Sequence, residues 1–176
     1  MKFLSDIRLL LLGLWLGAAC FFSFAVAPSA FGVLPTRELA GSMVSRTLMI
    51  VNLSGLIIGL ILLATSFFKQ TGIKPFWFWT ERFLLVILTL ACAAGQFVFA
   101  LWLSLIRGQL GRPIDEVPLE DPLRIQFNNL HQYSVWVLAA AMIAALLVFF
   151  IISRKSFANS KEKVSDELDF QKEFKI

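Results

Sequence analysis

The sequence predicts an all-α protein, an integral membrane four-helix bundle with both termini in the cytoplasm. Three observations predict it. Apolar residues make up 58% of the 176-residue chain and charged residues 16%, against roughly 45–50% and about 25% in soluble domains. With a mean hydropathy of +0.77, the surplus apolar surface must face lipid, because a soluble core of this size cannot hide it. Four charge-free runs are each long enough to cross a bilayer, which takes about 20 residues at 1.5 Å per residue. Finally, lysine and arginine are distributed unevenly between alternate loops, which sets the orientation.

Span one covers residues 9–31. Ala25-Val26-Ala27 resembles a signal cleavage site, but the apolar stretch exceeds the 7–15 residues of a usual signal core. Pro28 also follows the cleavage point directly, so the segment reads as a retained helix. Span two covers residues 47–68, with Pro35 expected to open its helix ahead of the membrane. Span three covers residues 83–106, entered through the aromatic anchor Phe76-Trp77-Phe78-Trp79, with Trp102 near its far edge. Span four covers residues 125–153. Asp121-Pro122 reads as an N-cap followed by proline in the first turn. The runs are apolar all round, which argues against barrel strands with their alternating pattern.

Residues 1–153 therefore form the membrane domain, and residues 154–176 a charged cytoplasmic tail expected to be flexible. Eleven of the lysines and arginines fall on the side of the termini and the second loop, and five on the other side. Cytoplasmic segments carry that excess, so the net charge of +4 reflects topology in a cell inner (plasma) membrane. It does not call for a nucleic-acid partner. The partner it implies is the lipid bilayer.

Gly13 and Gly17 in span one, and Gly55 and Gly59 in span two, are spaced for close helix approach. They can serve packing within the bundle, a homo-oligomer or partner membrane helices. Cys20 and Cys92 lie in apolar runs with no CxxC spacing, so no disulfide framework is expected.

Polar groups inside a bilayer are costly and mark the first place to look for function. Asn52, Gln96 and His131 all fall toward the outer half of their spans. On helix four, Arg124, Asn128 and His131 follow i, i+4, i+7 spacing as one polar stripe, with Leu123, Phe127, Leu130 and Ser134 beside it. The candidate ligand-binding residues are thus His131, Asn128, Arg124, Asn52 and Gln96, forming an outward-facing polar site. Plain inter-helix hydrogen bonding is the competing role, at about 0.6 kcal/mol per bond on average. The sequence shows no catalytic residue and no metal cluster of ordinary zinc type. Met43, Met49 and His131 offer soft ligands to Cu(I) at most, and the single histidine rules out bis-histidine haem ligation. The cofactor is left unknown.

Trp15-Leu16-Gly17-Ala18-Ala19, Phe21-Phe22-Ser23-Phe24, Val26-Ala27-Pro28 and Phe31 are followed by Leu34-Pro35, Ala40-Gly41 and Asn52. Phe127, Leu130-His131 and Ser134 come later. This order over roughly residues 8–152 resembles the domain-of-unknown-function 4149 family, also called transmembrane-protein-205-like. Span three departs from the pattern, reading Gly95-Gln96-Phe97-Val98-Phe99-Ala100. The resemblance implies a four-helix membrane protein of unestablished activity, distantly similar to copper-resistance D type bundles and a membrane protoporphyrinogen oxidase. The histidine pattern of those relatives cannot be carried over, because His131 is the single histidine here.

Three functions are compatible with these residues. One is a non-enzymatic protein that binds or moves a small solute or metal through an outward polar cavity. The others are a haem/porphyrin- or copper-linked redox protein and a scaffold for partner helices.

Overall fold

The structure is a computed structural model that describes the backbone of residues 2–67 and 75–173 and the side chains of residues 3–67 and 76–155. Lys69 and Lys74 of the second loop, and the lysines of the tail beyond residue 155, fall outside the described side chains. The described residues are helical, without strands. Four continuous helical stretches are long and apolar enough to cross a membrane: Phe3–Val33, Arg37–Ser66, Phe76–Leu110 and Pro122–Lys155.

Span one comprises α1 (Lys2–Phe21), a π-helical turn at Phe22–Val26 and α2 (Ala27–Val33). The π turn sits just before Pro28. Proline has no N–H to close on the carbonyl four residues back, and the backbone widens so that Ala27 N–H reaches Phe22 O. Span two is α3 (Arg37–Ser66). Its N-cap is Thr36, whose hydroxyl accepts from Leu39 N–H at 3.2 Å. Pro35 therefore lies before the cap instead of opening the helix, because the threonine side chain satisfies the first turn.

Span three comprises α4 (Pro75–Ala94), a second π turn at Gly95–Phe99 and α5 (Ala100–Leu110). It stops at Gly111, whose φ of 61° is the left-handed conformation that a helix C-terminus needs and glycine supplies cheaply. A short 3-10 turn follows at Ile114–Glu116. Asp121 then caps α6 (Pro122–Glu173), with its carboxylate accepting from Leu123 N–H at 2.8 Å. This is the proline-after-cap start that the sequence predicts. The 52 residues of α6 run on without a break into the tail.

The start of α1 and the Lys155 region of α6 meet at one end of the bundle, and the turn at residues 34–36 and the loop at residues 111–121 lie at the other. The core is built of close approaches. Gly55 is buried, and a Cβ there would stand 2.5 Å from Trp15 Nε1 and 2.6 Å from Cys92 Sγ. A Cβ at Gly59 would stand 2.5 Å from Thr89 Oγ1. Both glycines are thus taken up by packing of α3 against α1 and α4. On α1, Gly13 meets only Phe149 at ordinary contact distance, and nothing lies within 4 Å of the Gly17 position. Trp15 Nε1 donates to Val51 O at 2.9 Å and ties span one to span two. Ala141, Ala144 and Ala145 of α6 let it pack closely on Leu85, Leu88 and Cys92. Nearer the loop end the core is separate and larger in side chain, built of Ile106, Phe127 and Leu130 against Phe99 and Leu103.

Candidate functional site

The predicted polar residues do not form one cluster; the structure distributes them along a column. At mid-depth, Asn52 is buried at 3% exposure and wedged against the second π turn. A Cβ on Gly95 would lie 2.8 Å from Asn52 Nδ2, so only glycine admits the amide there. The next residue, Gln96, holds its Oε1 buried with no hydrogen-bond partner among the described residues. A cavity of about 10 Å³, bordered by Asn52, Cys92, Gly95 and Ser134, lies beside Asn52. Its size is that of a single water.

Toward the loop end the column continues along α6. Ser134 Oγ donates to His131 O at 2.7 Å, and the His131 ring lies parallel to Phe127, 6.5 Å between centroids. Arg107 Cζ sits 5.2 Å from the centroid of the same Phe127 ring. Its guanidinium donates to Ser45 Oγ at 3.4 Å and lies 3.5 Å from where a Gly41 Cβ would be. The column is thus Gln96 and Asn52 at depth, then Ser134, His131, Phe127 and Arg107.

This alters the stripe expected on helix four. His131 shares a face with Phe127 and Ser134. Arg124 turns into the loop, where its guanidinium donates to Val117 O, and Asn128 is exposed. The structure therefore sets Asn52 against Gly95, one residue before Gln96, and places His131 nearer the loop end, but commits Arg124 elsewhere. Arg107 of span three shares the Phe127 ring with His131. Among the described residues, no group of three His, Cys, Asp or Glu side chains converges as a metal site.

A second polar cluster, at the end that carries the start of α1, was not anticipated. Glu81 is 3% exposed and Arg8 2%, and Arg8 Nη2 donates to Glu81 Oε1 at 2.6 Å. Lys155 Nζ reaches Glu81 Oε2, also at 2.6 Å. Arg8 further donates to Leu62 O at 3.2 Å. One carboxylate thus bridges spans one, three and four, with the backbone of span two attached. Beside it, Arg82 is sandwiched at 4.2 Å from the Phe67 ring and 3.8 Å from the Phe78 ring, and it donates to Ser66 O at 3.1 Å. The available signal was positional: three charges of mixed sign stand at the same edge of their spans, where hydrocarbon favours pairing.

Four crossing helices with a lipid-facing exterior define a multi-pass membrane protein. Residues 10–109 match the family described as "Domain of unknown function (DUF4149)", and the chain belongs to that family. The match takes in spans one to three, with Asn52, Gln96 and Arg107, and ends before the segment that carries His131. No curated protein and no solved structure matches the chain.

Proposed function

We propose that the protein binds a small polar solute that enters from the loop end and reaches the amides of Asn52 and Gln96. In this reading the loop end faces outward, His131 and Arg107 line the approach, and the work is binding or passage of the solute without covalent chemistry. One observation carries the proposal: Gln96 keeps a buried acceptor unpaired within a π turn. An unmade buried hydrogen bond costs about 1–3 kcal/mol, and π turns inside helices concentrate at functional sites. A donor brought by a solute would satisfy that oxygen, and Asn52, packed against the adjacent Gly95, would supply a second contact.

The test is a thermal-shift screen of detergent-purified protein against small polar solutes. The reading expects at least one solute to raise the midpoint of the wild type and to lose its effect in Gln96→Leu. It fails if solute shifts persist unchanged in both Gln96→Leu and Asn52→Leu.

A further inference from the structure

A groove of about 640 Å³ opens between spans three and four at the loop end. It is distinct from the polar column. The cluster of Ile106, Phe127 and Leu130 walls one from the other, and Leu130 alone of these three lines the groove. Its origin is local. The small alanines that bring α6 close to α4 stop at Ala139. Beyond them the facing residues are large, and the π turn at Gly95–Phe99 offsets the helix that follows it. The two spans part there, with Phe99 and Trp102 on one side and Gln126, Asn129 and Tyr133 on the other.

We infer that this groove is a binding site for a membrane amphiphile with one hydrocarbon chain and an uncharged, hydrogen-bonding head. The volume falls within the roughly 300–1,000 Å³ of small-molecule sites, which suits one chain and a compact head better than a whole two-chain phospholipid. From Pro122 to Tyr133 the groove runs about 16 Å along α6 at 1.5 Å per residue, close to half of a hydrocarbon core of roughly 30 Å. That is the depth of one leaflet.

The lining decides the head. Gln126 and Asn129 present amides within the first two turns of α6, and no side chain lining the groove is charged. An anionic or cationic head would meet no opposite charge in the groove, since the nearby Arg124 is committed to Val117 O. A hydroxyl-bearing head finds donors and acceptors at both amides. Below it, Val98, Phe99 and Leu130 provide an apolar bed for the chain.

The test uses the full chain in phosphatidylcholine vesicles, labelled with a diazirine analogue of monooleoylglycerol and mapped by residue-level mass spectrometry. The expected result is cross-linking concentrated at residues 98–102 and 125–133, competed by unlabelled monooleoylglycerol but not by lysophosphatidylglycerol. Val98→Trp, which fills the groove, is expected to lose the competable labelling, and Trp136→Leu, on an exposed lipid-facing position, to keep it. Gln126→Leu with Asn129→Leu is expected to abolish the preference for the neutral competitor, and this variant decides the matter if Val98→Trp does not fold. Labelling spread evenly over exposed faces such as Leu10 and Leu14, without competition, would mean ordinary boundary lipid and overturn the site. Equal competition by the anionic lysolipid would overturn the neutral-head assignment.

Discussion

Arg8 and Glu81 meet at 2.6 Å across 73 residues of sequence, and both side chains are all but removed from the surface. Lys155 completes the cluster from the far end of the chain. Burying charges costs more than their attraction returns unless every partner is present.

Removing the shared carboxylate should therefore be severe. Glu81→Gln leaves two cations without their counter-ion, and a loss of about 3 kcal/mol is expected. The concerted change Arg8→Met, Glu81→Leu and Lys155→Met should recover most of it, since an apolar replacement of a whole buried network is often neutral or better. Denaturant unfolding in mixed micelles reads both. A single Glu81→Gln variant as stable as wild type would show that the cluster does not hold the spans together.

The two glycine pairs should respond differently. Gly55→Ala drives a methyl into Trp15 and Cys92, and overpacking of this kind costs about 1–3 kcal/mol. Gly17→Ala meets nothing and should be neutral or slightly stabilising, as alanine is the better helix former. Melting temperatures of the two variants, compared side by side, check the pair.

Gln96→Leu removes an unpartnered acceptor, so in the absence of solute it should match or exceed the wild type in thermal stability. A marked loss of stability would mean that the amide is hydrogen-bonded within the bundle.

His131→Ala should leave stability within about 0.5 kcal/mol, as expected for an exposed side chain. It should nonetheless reproduce whatever phenotype deletion of the protein causes. A His131→Ala strain indistinguishable from wild type in that phenotype removes the residue from the site.

The loop end is expected to face outward. In a cysteine-free background, a cysteine at Glu116 should react with an impermeant maleimide on intact cells, and one at Arg154 only after permeabilisation. The opposite pattern would invert the topology.

The fold was legible because its cause is one-dimensional. A run of apolar residues of membrane length becomes a helix whatever its neighbours are, and Asp121-Pro122 carries its own capping instruction. Gly55 and Gly59 were legible as a packing signal, but their partners Trp15, Cys92 and Thr89 depend on how the helices cross. The site was only half legible. Asn52, Gln96 and His131 stand out as costly polar groups in apolar runs. On helix four, i, i+4, i+7 spacing groups Arg124 with His131, but spacing does not reveal that a long arginine at a helix start can turn back to the preceding loop, as Arg124 does toward Val117 O. Glu81 went unread because a carboxylate beside an arginine at the membrane edge looks like a solvated boundary until the other spans bring Arg8 and Lys155 to it.

The two ends of the bundle are held differently: a buried carboxylate at one, exposed contacts such as Arg107 to Ser45 and Arg37 to Asp115 at the other. The Glu81 cluster fastens the end that carries the start of α1, the Gly55 and Gly59 crossings hold the middle, and the groove lies at the loop end. The carboxylate of Glu81 therefore holds three of the four spans together at its end, with the backbone of the fourth attached through Arg8.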